Sequence, residues 1–436
     1  MESVCLVWPK TTFLEDPFVY GPLGLWYIWA ELEKLGYRVG YRDLSADRLP
    51  YDYDCYFISG TSPQWAEMKK TVRELRERAP NSRLVLGGSH AMTHDGQWLL
   101  SHGFDVSTPR GVDVVVKCEG DLPGVVLEAL TCPQGTVITR PLMPTLVDVG
   151  LPVRDVAWRY NARLTDWDAN KHATTTMFTS RGCPMRCAYC ETQGIWGRGV
   201  RWVPFETVKR EIDEILALGF TGIMFYDDIF PLNKPRTLQM LDVLKYHHTH
   251  NNLIWRCFLR TDVLERQGGY DYLKLMREAG LREVLAGVES ASDTIKNNVH
   301  KGTTIAQDTQ ALQWCQSLGI LFKASTILGL PGETAETMEM TRRWIIEHRP
   351  DRVDVNTLIP FPGTPLTTAM AEGKGEYDIY LAKDQLVDGE FPEEYFYKGP
   401  RDSSQSLVGT SALTPRQIKE FRDNLVQEIK SLGIPY

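Results

Sequence analysis

From Ser3 onward the sequence repeats one pattern: a short apolar run, then a longer segment with apolar residues at helical spacing that stops at or near a glycine. A strand whose chain returns through a helix runs parallel to the strand before it, so this alternation commits the fold to parallel sheets covered by helices. Residues 3–8, 38–41, 55–59, 83–86 and 111–117 read as strands, and 23–35, 63–78 and 122–130 as helices. This first series implies a doubly wound, Rossmann-like sheet. In such sheets ligands sit beyond the carboxyl ends of the strands, which points to the loops 9–24, 60–63, 87–90 and 118–121.

A second series follows. Strands are expected at 175–179, 222–226, 253–259, 283–288, 321–328 and 352–358, with helices at 204–218, 270–279, 303–318 and 337–348. Six strands of this kind argue for an open, partial relative of the (β/α)₈ barrel, whose chemistry gathers at the strand ends. Asp227, Asp228, Arg260, Asp262, Glu289, Ser290 and Glu333 stand at those ends. Each also has a structural reading as a salt bridge or helix cap, and Ser290 and Asp293 suit N-caps. Arg256 and Lys323 are weaker candidates.

Beyond Pro365 the alternation is lost. Residues 373–377 read as a loop and 391–397 as an aromatic and acidic stretch, in which Tyr395, Phe396 and Tyr397 form either core or a pocket wall. Residues 414–432 read as one amphipathic helix with a Thr-Pro start. The chain thus divides into 1–150, a linker at 151–172, a barrel at 173–370 and a small helical C-terminal region at 371–436.

At 436 residues, with 43% hydrophobic and 24% charged residues, the chain suits two soluble domains. Its net charge of −8 and pI near 5.7 disfavour a nucleic-acid partner. No stretch approaches the roughly 18 apolar residues of a membrane span, and no secretory signal opens the sequence, so a cytoplasmic protein is expected.

The loop after the first barrel strand reads Arg181-Gly-Cys-Pro-Met-Arg-Cys-Ala-Tyr-Cys190. Cys183, Cys187 and Cys190 suit an iron–sulfur cluster, and three ligands leave one iron of a cubane open to substrate or cofactor. A structural zinc loop needs a fourth ligand, and His172 and the unpaired Cys257 make poor ones. A disulfide fits less well still. The remaining cysteines, Cys5, Cys55, Cys118, Cys132, Cys257 and Cys315, are scattered as in a protein with reduced thiols.

This run, with Tyr189 before its third cysteine, resembles the signature of the radical S-adenosylmethionine (SAM) enzymes. The resemblance implies a 4Fe-4S cluster on Cys183, Cys187 and Cys190, with SAM on the open iron. It places SAM contacts at Tyr189, Tyr226, Asp227, Asp228, Arg260, Asp262, Glu289, Ser290, Gly329 and Glu333. The first series resembles the cobalamin-binding domain of one branch of that superfamily. There the resemblance assigns Gly24, Leu25, Thr61, Ser62, Gly87, Gly88, His90, Cys118, Glu119 and Gly120 to cobalamin. Cys118-Glu119-Gly120-Asp121 departs from that branch's usual Gly-Glu-Gly-Glu. No Asp-x-His-x-x-Gly run is present, so a histidine on cobalt is not expected, and His90 is read as hydrogen-bonded within its turn.

The implied activity is methylation of an unactivated carbon of a small molecule, by a 5′-deoxyadenosyl radical and methylcobalamin. An external flavodoxin- or ferredoxin-type electron donor and a monomeric state are expected with it. The alternatives are a cobalamin-independent cyclisation, rearrangement or epimerisation, and a non-catalytic iron–sulfur or zinc module. A methylthiotransferase is disfavoured, because the first domain lacks a second three-cysteine cluster and no small RNA-binding domain follows.

Overall fold

The computed structural model describes residues 2–14, 16–101, 111–146, 149–160, 172–371, 375–382 and 405–436. Residues 395–397 lie outside these, as do residues 161–171 of the linker and 402–404.

Two six-stranded parallel sheets carry the fold. The first uses β1 (Ser3–Trp8), β2 (Arg38–Asp43), β3 (Cys55–Ser59), β4 (Arg83–Gly87), β5 (Val114–Val116) and β6 (Thr136–Ile138) in the order β2-β1-β3-β4-β5-β6. Its order turns at β1, so the loops after β1 and β3 part to opposite sides there. Alternation along β1 separates two cores: Val4 and Leu6 join one apolar cluster, Cys5 and Val7 the other. That is the period-two signature of a sheet buried on both faces.

The second sheet uses β7 (Thr174–Met177), β10 (Gly222–Phe225), β11 (Ile254–Leu259), β12 (Leu281–Glu289), β13 (Leu321–Leu328) and β14 (Arg352–Thr357), in sequential order from β7 to β14. Between β7 and β10 a short antiparallel pair, β8 (Ser180–Arg181) and β9 (Arg201–Trp202), brackets the cysteine loop. Helices 305–318, 335–348 and 415–431 start at Thr304, Thr334 and Thr414, whose hydroxyls accept the N–H three residues on. The α/β architecture is the one expected.

The differences are local. β5 is shorter than 111–117, and just before it the Asp113 carboxylate accepts the Leu84 N–H at 2.8 Å and pairs with Arg76 at 2.9 Å. β6, the short strands at 180–181, 201–202, 380–381 and 408–409, and seven α-helices, 89–93, 96–101, 192–196, 234–251, 261–267, 293–298 and 365–371, were not anticipated. Among the described residues no helix is long and apolar enough to cross a membrane.

Candidate active site

The cysteine loop is held from several sides. Gly182 sits at φ +100°, and a Cβ there would lie 2.0 Å from the Gly199 carbonyl oxygen, so only glycine can enter this turn. Asp228 accepts the Gly182 N–H at 3.1 Å and the Thr192 hydroxyl at 3.0 Å. Within the loop, Cys190 N–H donates to Cys187 O at 3.2 Å, and Ala188 N–H donates to Val299 O at 2.9 Å. Gly182→Ala should therefore cost at least about 1–3 kcal/mol in backbone strain alone and lower the iron bound per chain, read by iron assay after anaerobic reconstitution.

Cys187 is buried, while Cys183 and Cys190 are half-buried. The Arg260 guanidinium lies 3.5 Å from the Cys187 sulfur, a donor placed to support a thiolate ligand. Among the described residues no three His, Cys, Asp or Glu side chains converge as ligands of one ion. Each cysteine of a cubane binds a different iron, so that convergence is not required of them. Three thiols on one glycine-hinged loop beside a buried cation fit a cluster better than a closed zinc site.

Around this loop the predicted SAM residues divide. Glu289 stands at φ +63° beside a register shift in β12, and its carboxylate accepts from Lys301 at 2.8 Å. A Cβ at Gly287 would fall 2.1 Å from that carboxylate, so the glycine makes room for it. Burial raises the Tyr189 phenol, and the neighbouring Glu289 adds to the shift. Arg260 is oriented by Asp262 at 3.0 Å and by the Lys301 carbonyl. Burial pushes Asp228 up to about 6.

Other candidates are engaged elsewhere. Asp227 accepts from the Thr179 N–H at 2.9 Å, its hydroxyl at 2.6 Å and the Ser180 hydroxyl at 2.5 Å, so it builds the strand end that launches the loop. Ser290 is fully buried against Thr341 and accepts the Ser292 N–H. Ser292, not Ser290 or Asp293, caps helix 293–298. Glu333 closes the turn at Gly329 (φ +84°) by accepting its N–H at 2.5 Å, and burial pushes its carboxyl up to about 8. Arg256 pairs with Glu283 at 3.3 Å and meets the Tyr20 hydroxyl at 3.4 Å, while Lys323 pairs with Asp354 at 2.8 Å.

The second site is a largely apolar cavity of about 320 Å³ at the carboxyl ends of the first sheet. Gly24, Leu25, Thr61, Gly87, Gly88, Cys118, Glu119 and Gly120 line it, as the strand-end argument expects. A Cβ at Gly24 would meet nothing within 4 Å, and one at Gly87 only Val116 at 3.9 Å, so side chains at either would protrude into the cradle. Gly88, at φ +91°, is required for a different reason, since its Cβ would strike Gly60 O at 2.5 Å. Such a glycine-lined, apolar hollow suits a large flat ligand such as a corrin.

Ser62 and His90 are not on the cavity wall. His90 Nδ1 is bonded to the Ser62 hydroxyl at 3.2 Å and its ring stacks on Trp65 at 4.4 Å, so both serve the packing behind the wall. Burial holds this imidazole well below its ordinary pKa, hence neutral. Sequence reasoning missed the opposite wall, Phe178, Arg181, Ile195, Trp196 and Tyr226, which comes from the barrel. Tyr226 was read as a SAM contact but faces this cavity.

Residues 177–345 match the family described as the radical SAM superfamily. Over these residues the chain carries a radical SAM domain. An uncharacterised methyltransferase of Pyrococcus horikoshii is 29% identical over 375 residues, covering 79% of this chain and 77% of that protein. The anaerobic magnesium-protoporphyrin IX monomethyl ester cyclase of Rubrivivax gelatinosus is 26% identical over 354 residues; the match takes in 75% of this chain but only 60% of the cyclase. Among solved structures, the radical SAM methyltransferase TsrM of Kitasatospora setae, with cobalamin and a 4Fe-4S cluster bound, shares the fold with a TM-score of 0.66 at 17% identity. That match covers 90% of this chain and 83% of the other. The radical SAM match thus falls on the barrel, and the fold likeness extends over both sheets.

Proposed function

We propose that this chain is a cobalamin-dependent radical SAM enzyme that methylates an unactivated carbon of a small molecule. The observation that carries this reading is the shared cavity, whose floor comes from the first sheet's glycine loops and whose roof comes from the barrel beside the cysteine loop. A ligand seated there faces the barrel mouth, where the cluster would be.

In this reading Cys183, Cys187 and Cys190 hold a 4Fe-4S cluster. Glu289 and Lys301 offer a carboxylate and an ammonium complementary to the charged amino-acid end of SAM, with Asp228 and Arg260 fixing the loop between them. Gly24 and Gly87 allow close approach of cobalamin, Gly88 and Gly120 shape the loops around it, and Tyr226 and Phe178 separate it from the barrel interior. When bound, the cluster supplies the electron for cleaving SAM, and cobalamin carries the methyl group. The chain itself orients these groups and keeps water from them. Residues 1–150 form the cobalamin-binding unit and 173–370 the radical SAM barrel, joined by a linker at 151–172 and followed by an extension at 371–436. An external flavodoxin- or ferredoxin-type donor supplies electrons to a monomer.

The test is anaerobic turnover with SAM, a reductant and candidate small molecules, after reconstitution with hydroxocobalamin. Formation of 5′-deoxyadenosine together with S-adenosylhomocysteine and a methylated product is expected. The alternative is a cobalamin-independent cyclisation, rearrangement or epimerisation, of which the relative named as a cyclase supports only the cyclisation. Product formation with 5′-deoxyadenosine, no S-adenosylhomocysteine and no retained cobalamin would establish that alternative instead.

A further inference from the structure

A buried ionic cluster joins the two halves of the proposed site. Arg181 lies two residues before Cys183 and is 4% exposed. Its Nη1 donates to Glu119 at 2.8 Å and to Asp121 at 3.0 Å, and its Nη2 donates to the other Asp121 oxygen at 2.5 Å. Arg201, paired with Arg181 across β8 and β9, donates to the second Glu119 oxygen at 2.5 Å. Two guanidinium groups are thus balanced by two carboxylates, and Glu119 is 2% exposed.

Three rings, those of Trp196, Tyr27 and Phe178, lie 5.3, 5.6 and 5.9 Å from the Arg181 guanidinium. Arg181, Glu119 and Asp121 all line the cavity, together with Tyr27, Phe178 and Trp196. Arg181 Nε and two nitrogens of Arg201 are buried with no hydrogen-bond partner among the described residues.

An apolar replacement of a buried ion cluster is often as stable as the cluster itself, so its physical merit here is registry. A bidentate guanidinium fixes both the distance and the plane of its carboxylate. The carboxylates sit on the loop after β5, and the guanidinium on the strand that launches the cysteine loop. Any ligand that orders the cavity wall must therefore order the start of the cysteine loop as well.

Resting on the function proposed above, we infer that Arg181, clamped by Glu119 and Asp121, is the positioning residue that couples occupancy of the first-sheet cavity to the cluster loop. Glu119, which the sequence suggested as a cobalamin contact, acts in this coupling through Arg181 and Arg201. The cavity and the cluster are then one cooperative unit, in which filling the first makes the second less labile.

The experiment uses the full chain, anaerobically reconstituted with iron and sulfide, and follows iron loss to a chelator with and without hydroxocobalamin. In the wild type, cobalamin should slow iron loss about 5- to 150-fold, the usual span of coupling between two sites. Arg181→Lys keeps the charge but not the fork, and should retain cobalamin absorption and cluster while losing most of that protection. Asp121→Asn, which weakens one arm, should keep an intermediate fraction. Cobalamin binding to the wild type without slower iron loss would overturn the coupling alone, and that arm stands even if a variant fails to assemble. Full protection in Arg181→Lys would likewise overturn the role of Arg181. A wild type that binds no cobalamin would overturn both this inference and the function on which it rests.

Discussion

Cys187→Ala is expected to abolish the four-iron centre, and with it SAM cleavage. Cys187 is the buried thiol of the three, the one beside Arg260, on a loop tied to Val299 and to Asp228. Loss of an outer hydrogen-bond partner at a metal site typically costs 10- to 100-fold. Removing a ligand should exceed that range, so 5′-deoxyadenosine should fall more than about 100-fold, with iron content falling in step. Cys183→Ala and Cys190→Ala should behave in the same way. Retained turnover in any of the three would show that the thiol is not a ligand.

The largest effect on stability is expected from Glu211→Ala. Arg154, in the segment leading out of the first half, runs its guanidinium under the barrel edge. It donates to Thr175 Oγ1 at 3.0 Å and Thr176 O at 2.8 Å and pairs with Glu211, both side chains being 2% exposed. Arginine cannot shed its charge, so removing Glu211 strands a buried cation, a loss that usually costs about 3–5 kcal/mol. Thermal unfolding should shift down by on the order of 10 °C. Replacing exposed Glu278, which faces exposed Lys245 at 3.3 Å, should leave the transition in place. An unchanged transition in Glu211→Ala would mean that the pair does not join linker and barrel in solution.

The strand and helix alternation was legible because burial on both faces makes strands nearly continuous apolar runs, and glycine closes helices without steric cost. Helix 234–251 escaped because its buried face is only Thr237, Met240, Leu241 and Leu244, followed by a polar, histidine-rich tail. Their helical spacing and the Asn233-Lys-Pro start were the available signal. The short β6 offers no such period to read.

Candidate residues were legible to the extent that strand ends share a face. That rule gathers Gly24, Thr61, Gly87 and Gly120 on one cavity and brings Arg260, Glu289 and Asp228 around the cysteine loop. It cannot say which way a polar side chain turns. Asp227, Ser290 and Glu333 spend their oxygens on nearby backbone or hydroxyl groups, and Ser62 and His90 turn behind the wall they were expected to form. The Arg181 fork joins residues 60 and 62 positions apart, from two different sheets, and no local pattern announces such a pairing.

The most direct measurement is electron paramagnetic resonance of the anaerobically reconstituted, reduced protein before and after SAM is added. The account requires the signal of a reduced four-iron cluster, changed by SAM because one iron has no protein ligand. Zinc in place of iron, or a four-iron signal that SAM leaves unaltered, would contradict it.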